Sequence, residues 1–394
     1  MDSVSSGSDE RHHLPWPTSE ANAGRPLAGV RVLDLSRVLA GPLCTMVLSD
    51  LGADVVKVEP PSGDETRRWG PPFFAEEAVY YYTANRNKWG ITLDLKTVRG
   101  RLLLQELVAA ADVVVENFPA DVAKRLTVDF DSLAAANPRL IHLTISGFGP
   151  DEPDRRGYDV MVQALGGIMA VTGTADGPPV KVGFPVSDIA AGLYGAIGVL
   201  GALRARERST QPQHIDVALY DVGLSLLANQ AMNWLLAGHE PERMGGDHPN
   251  VTPYGTYSAK DGFIVLAVGS DAQFQRLLTA LDRQHLAADE RFATNAARIA
   301  HREELRELLQ SVLRLSTTDE LQSLLDAAEV PSAVVRSVSS ALESPEAHNV
   351  GSATHPHYGE IRQVMTPIRF DGSYLRPYMA PPELGEHNKV VERD

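Results

Sequence analysis

Asp188 stands in the stretch 182–206, VGFPVSDIAAGLYGAIGVLGALRAR, where a short loop gives way to a helical pattern. A carboxylate at such a turn faces the first helical N–H groups, whose partial positive charge favours its ionised form. An ionised carboxylate held in place can act as a nucleophile. On this segment alone a plain N-cap, a position where Asp is common, is the better reading. Gly192, Gly195, Gly198 and Gly201 follow at three-residue intervals, nearly one face of a helix. An exposed helical glycine costs about 1 kcal/mol against alanine, so four of them call for a backbone that another element approaches closely.

Other chemistry-bearing patterns are few. The chain has no G-x-x-x-x-G-K-[ST] phosphate loop, no G-x-S-x-G elbow, no H-E-x-x-H and no C-x-x-C. His355-Pro-His357 lacks a third metal ligand nearby in sequence, so no metal site is expected. His12 and His13 lie in a polar stretch and read as solvated. Asp159 follows Tyr158 at the start of a helical pattern, where it either binds substrate or caps that helix. Cys44 is the one cysteine, which rules out an internal disulfide framework and fits a small buried hydrophobe.

The elements that must position these residues alternate. GVRVLDLS, DVVKVEPP, the run after NRNKWG, DVVVENFP and RLIHLTIS read as strands, with helical patterns between them. Strand, helix, strand implies right-handed parallel crossovers, so the first half is expected to be an open, mostly parallel α/β sheet. The first βα turn, RVLAGP, has one glycine rather than G-x-G-x-x-G, which weakens a nicotinamide reading. The polar pair ending DVVVENFP falls at the sheet edge where such folds bind ligands.

At 394 residues the chain is too long for one simple core. The expected division is a disordered tail over 1–26, a large domain over 27–204 and a linker over 205–225. A smaller α+β domain over 226–329 follows, and 330–394 returns to complete the large domain. A net charge of −15 argues against nucleic-acid binding while leaving room for a local basic pocket. No apolar run is read as a membrane span, and the single cysteine fits a reducing cytoplasm.

The stretch LAGVRVLDLSRVLAGPLCTMVLSDLGADVVKVEPPSGDETRRWGPPF resembles the opening of the class III coenzyme A-transferases, the family of formyl-CoA and carnitine CoA-transferases. NKWGITLDLK, DVVVENFPADVAKRL, NPRLIHLTISGFG, GYDVMVQALGGIMAVTG, VGFPVSDIAAGLYGAIGVLGAL and APPELGEH continue the likeness in order over residues 27–388. The resemblance implies a Rossmann-like large domain, a small domain, and two chains interlocked as a homodimer. It places the catalytic carboxylate at Asp188, which would pass CoA from an acyl-CoA to a free acid through mixed anhydride and aspartyl-CoA thioester intermediates. CoA enters as substrate, with no resident cofactor and no metal.

By the same resemblance, CoA would lie along Arg37, Val38 and Ala40 in the first βα turn, Leu93 and Lys96, and Asn117, Phe118 and Arg125. Phe118 would offer its face to the adenine, and the basic residues would meet phosphates. Arg37 and Leu39 stand where one branch of the family has His and Gln. That branch's glycine-rich lid is also missing, which turns the reading away from formyl-CoA and oxalate. GGDHPNVTPYG, residues 245–255, takes the comparable place, with His248 and Tyr254 as contacts for the acceptor's far end. Related sequences without the lid use succinyl-CoA with small dicarboxylic or hydroxy acids. The alternative of the same fold family, α-methylacyl-CoA racemase, needs a His-Asp pair, and here the dipeptide is Tyr158-Asp159. A phenol with an ordinary pKa of about 10 is a poor base at neutral pH. A non-catalytic CoA-binding protein is the third reading.

Overall fold

β-Branched runs flanked by turn residues become the strands of one sheet, seen here in a computed structural model that describes residues 16–153, 155–375 and 378–390. The strands are β1 (Arg31–Asp34), β2 (Asp54–Glu59), β3 (Lys88–Thr92), β4 (Val113–Glu116), β5 (Ile141–Ser146) and β6 (Gln213–Ala218). They lie in the order β3-β2-β1-β4-β5-β6, and every neighbouring pair is parallel. This is the expected parallel α/β sheet, in the strand order that doubly wound dinucleotide-binding folds share. Val32, Leu33, Val55, Val56, Val113 and Val114 are wholly buried, because helices cover both faces. On one side pack α1 (Ala40–Asp50), α4 (Val186–Arg206) and α5 (Leu219–Leu226); on the other lies α2 (Val98–Ala110). The short α3 (Asp159–Leu165) precedes α4.

Two units divide the chain. The first takes the residues up to Ile168, then Lys181–Ala231, then those from His348 onward. The second takes Met169–Val180 and Met232–Ala347. In the second, β7 (Tyr254–Ser258), β8 (Phe263–Ala267) and β9 (Ser332–Val334) form an antiparallel sheet in the order β9-β8-β7. Its helices are α6 (Asp271–Ala280), α7 (Arg302–Leu313) and α8 (Thr318–Ala327). Leu305, Leu309 and Leu313 recur every four residues on α7 and are all buried, the pattern of an amphipathic helix on a core.

Several expected boundaries differ. Residues 205–225 are not a linker: after a polar turn they supply β6, which closes one edge of the sheet, and most of α5. The return to the first unit comes at His348 rather than 330, because β9 pairs with β8 in the second unit. The tail reading fails over residues 16–26, since Trp16 is buried and its indole N–H donates to the Asp54 carbonyl at 3.0 Å. Asn22 also donates to the Asp54 carboxylate, at 2.9 Å. His12 and His13 lie outside the described residues. The proline-rich end is anchored on the β3 edge: the Gly90 N–H donates to His387 Nδ1 (3.0 Å) and the Thr92 N–H to Asn388 Oδ1 (2.8 Å). Finally, α4 is long and apolar enough by length and composition to cross a membrane, and its buried residues pack in the core of the sheet.

Candidate active site

In the order β3-β2-β1-β4 the connections reverse direction between β1 and β4, the point where open α/β sheets bind ligands. Both strands end there in turns that are tied together. The Asn117 side chain accepts the Arg37 N–H at Oδ1 (2.9 Å) and donates from Nδ2 to the Arg37 carbonyl (2.8 Å). Its amide is therefore occupied in bracketing the β1 turn. The Arg37 guanidinium lies 4.7 Å from the centre of the Phe118 ring, so the face expected to receive adenine already carries a cation.

The start of α4 completes the site. Pro185 takes the N-cap position, and Ser187 and Asp188 are the second and third helical residues. Their N–H groups are answered by another segment: Asp159 Oδ1 accepts from Ser187 at 2.8 Å and from Asp188 at 3.4 Å. Asp159 Oδ2 accepts from Gln163 (2.6 Å), whose Oε1 in turn accepts the Val182 N–H (2.8 Å). Asp159 thus caps α4 rather than its own helix, and Asp188 is not a cap. The two carboxylates divide the work that the sequence left open between roles on one residue.

Among the described residues, no hydrogen-bond donor is joined to the half-buried Asp188 carboxylate. Burial first, and the nearby Asp159 charge second, push its pKa up to about 7. Burial and the Asp159 charge thus oppose the ionised form that the helix start was expected to favour.

The glycines set how near α4 comes to α1. A Cβ on Gly192 would stand 2.7 Å from the Ala40 carbonyl oxygen, and one on Gly195 2.9 Å from Leu143 and 3.3 Å from Cys44 Sγ. One on Gly198 would meet Ile215 at 3.1 Å, whereas at Gly201 nothing among the described residues comes within 4 Å. Three of the four are approached closely and the fourth is not. Cys44 is buried, and burial pushes its thiol well above its ordinary pKa, as an inert core residue requires.

Arg37, Val38, Ala40, Asn117, Phe118, Tyr158, Asp159 and Asp188 all line one cavity of about 360 Å³ at this switch point. Three other candidates of the first unit do not: Leu93 is core, Lys96 is exposed, and Arg125 pairs with Asp121 at 3.6 Å on the surface. His248 and Tyr254 belong to the second unit, where their ring centres lie 5.1 Å apart and the His248 N–H donates to the Tyr254 carbonyl at 2.8 Å. Sequence reasoning missed Arg155, Arg156 and Glu65, which also line the cavity. The signal was the Arg-Arg pair just before GYD. Arg155 lies over Phe148 at 3.7 Å and pairs with Glu152, while Arg156 is exposed. Gly147 and Gly157 pinch the loop between them, since a Cβ on Gly147 would lie 2.5 Å from the Gly157 nitrogen.

The His355-Pro-His357 pair does have a third neighbour, Glu383, with ligand atoms of all three within 4.8 Å of one another. Glu383 lies 2.7 Å from His357 Nδ1 and raises that ring's pKa. His355 Nδ1 accepts the His357 N–H at 3.2 Å, and its Nε2, 3.9 Å from Glu383, is buried without a hydrogen-bond partner among the described residues.

The profile of CoA-transferase family III matches residues 27–388. A succinate–glutarate CoA-transferase of Agrobacterium fabrum is 42% identical over 386 residues, covering 95% of this chain and 96% of that protein. The human succinyl-CoA:glutarate CoA-transferase is 34% identical over 384 residues, covering 96% and 88%. A crystal structure of a CaiB/BaiF family protein from Brucella suis superposes with a TM-score of 0.85 at 42% identity, covering 93% of this chain and 98% of that one.

Proposed function

We propose that this chain, which belongs to CoA-transferase family III, transfers CoA from a succinyl-CoA-type donor to a small dicarboxylic acid, with Asp188 as nucleophile. That it is an enzyme moving CoA to carboxylic acids follows from the family; the nucleophile and the substrates are our reading. One observation carries it: a carboxylate without a hydrogen-bond donor among the described residues, on the wall of a cavity that Arg37, Arg155 and Arg156 also line. The relatives named for succinate and glutarate support the dicarboxylic class.

In this reading Asp188 attacks the thioester carbonyl and the C–S bond breaks, giving a mixed anhydride and CoA thiolate. The thiolate attacks the aspartyl carbonyl, forming aspartyl-CoA thioester and releasing the donor acid. The acceptor carboxylate then attacks that thioester, and the same steps reverse to yield the new acyl-CoA and free Asp188. Each bond broken is matched by one of similar energy, so the protein's task is orientation and exclusion of water. Asp159 fixes the Asp188 backbone, and Arg37, Arg155 and Arg156 supply charge for CoA phosphates. A cytoplasmic setting, where acyl-CoA is available, belongs to the same reading.

A homodimer is also proposed, because Leu193, Tyr194, Ile197 and Leu200 form an exposed apolar face on α4 that a second copy would cover. Sedimentation as a monomer at micromolar concentration counts against it. For the chemistry, incubation with succinyl-CoA followed by hydroxylamine should convert the peptide containing Asp188 to its hydroxamate. Label on another residue, with Asp188→Asn still active, defeats the assignment.

A further inference from the structure

The turn between β1 and α1 holds a β-branched residue where such residues are rarely found. Val38 has φ of 67°, in the left-handed region, where its Cβ crowds the following carbonyl. A residue stays there only when its surroundings over-determine it.

Those surroundings are charged and buried. The Val38 N–H donates to the Asp64 carboxylate, 3.2 Å from Oδ2 and 3.5 Å from Oδ1. Asp64 cannot swing away, because Oδ1 accepts from the Thr66 N–H (3.0 Å) and hydroxyl (2.8 Å) while Oδ2 accepts from Lys57 Nζ (3.2 Å). Lys57 also donates to the Ser36 carbonyl at 3.0 Å, two residues before Val38. On the other side Asp34 accepts from the Ser36 N–H (3.0 Å), the Thr45 hydroxyl (2.7 Å) and Lys88 Nζ (3.0 Å). With Asn117 on both polar groups of Arg37, each residue from Ser36 to Val38 is tied down by a side chain. The four charged groups, two of each sign, are at most 1% exposed. Stability alone is a weak reason to keep them, since hydrophobic replacements of buried ion pairs are often neutral or better. Asp64, Lys57 and Asp34 each bond a residue of this turn, and Lys88 backs Asp34.

We infer that Asp64, backed by Lys57, is a positioning residue for CoA binding. It holds Val38 left-handed and so sets where Arg37 and the first turn of α1 stand on the cavity wall. This rests on the CoA-transferase reading above.

The test is calorimetric titration of CoA into wild type, Asp64→Ala, Asp64→Asn, Val38→Gly and the Val38→Gly/Asp64→Ala double variant, with melting temperatures alongside. Asn keeps an acceptor for the Val38 N–H but loses the charge opposite Lys57. Both Asp64 variants should therefore melt lower. Asp64→Ala should weaken CoA binding about tenfold, and Asp64→Asn should recover most of that affinity. Glycine takes positive φ without a Cβ penalty, so in the Val38→Gly background the Asp64→Ala effect should shrink to about threefold or less. Equal affinities for Ala and Asn, or an undiminished Ala effect in the glycine background, overturns the inference. If Asp64→Ala does not fold, Asp64→Asn decides: near-native affinity with a lowered melting temperature supports it, and tenfold weaker binding overturns it. Wild type that fails to bind CoA defeats the functional reading as well, whereas binding with the wrong variant pattern defeats this inference alone.

Discussion

The second unit and the switch-point edge of the parallel sheet obey different rules. At the openings of α6 and α8 in the second unit local preferences and tertiary packing agree, although α7 opens at an uncapped His301, Asp282 and Glu329 are left-handed, and Arg298 is buried. Ser270 and Thr317 each form complete capping boxes, opening α6 and α8, and the helices above them bury one apolar face. At the switch point they conflict: Leu39 and Pro185 stand at N-cap positions without side-chain caps, Val38 is left-handed, and Lys57, Lys88 and Asp34 are wholly buried. A fold tolerates such exceptions where they serve a site, so the contrast separates residues kept for stability from residues kept for chemistry.

The largest effect should come from Asp188. Asp188→Asn should lower CoA transfer by at least about a thousandfold with little change in melting temperature, because Asp159 makes the cap. Thr317→Ala should do the reverse, costing about 1 kcal/mol of stability and leaving transfer intact. Activity assays and denaturant titrations on both variants check the contrast. An active Asp188→Asn, or an inactive but stable Thr317→Ala, would break it.

Asp159 should give the next largest effect. Asp159→Ala leaves the Ser187 and Asp188 N–H groups without their acceptor, and small misplacements of a reacting group cost up to about a hundredfold. We expect kcat to fall by about tenfold to a hundredfold, with hydroxylamine trapping still directed to Asp188. Asp159→Asn keeps an acceptor oxygen and should be milder. Trapping that moves away from Asp188 in Asp159→Ala would give Asp159 a covalent role instead.

A smaller effect should appear with pH. Asp188 must be ionised to attack, and its pKa is raised to about 7. Below that value kcat/KM should rise about tenfold per pH unit and then level off. Stability runs the other way. The folded state binds this proton more tightly than the unfolded state, whose value is near 3.8. The contribution is therefore present at low pH and lost as pH rises through about 7. Asp159→Asn removes the like charge and should move the kcat/KM limb to lower pH. A limb that stays in place would show that burial alone sets the value.

Much of this was legible in the sequence and some could not be. The alternation of β-branched runs with helical patterns gave the parallel sheet, and the family resemblance, rather than the local stretch, pointed to Asp188. Asp159 as the cap of α4 was not readable, because that bond joins residues 28 positions apart. The unit to which β9 belongs was hidden for the same reason: its strand character shows in the sequence, but its pairing with β8 does not. Arg155 and Arg156 were visible as a basic pair, but nothing local distinguishes cavity arginines from solvated ones.

The glycines of α4 bring both limits into one helix and give the smallest prediction. Spacing alone made Gly192, Gly195, Gly198 and Gly201 equivalent, yet only at the first three would an added Cβ come within 3.1 Å of another element. At Gly192 a methyl group would meet the Ala40 carbonyl, which is backbone and cannot turn aside, so Gly192→Ala should push α4 off α1 and disturb the cavity end. At Gly201 the methyl group meets nothing, and alanine should stabilise the helix by up to about 1 kcal/mol. Denaturant titration of Gly201→Ala at unchanged activity checks this. A loss of stability that depends on protein concentration would mean that a second copy closes on the exposed end of α4. That would make Gly201 an interface glycine and restore to all four positions the common purpose their spacing implied.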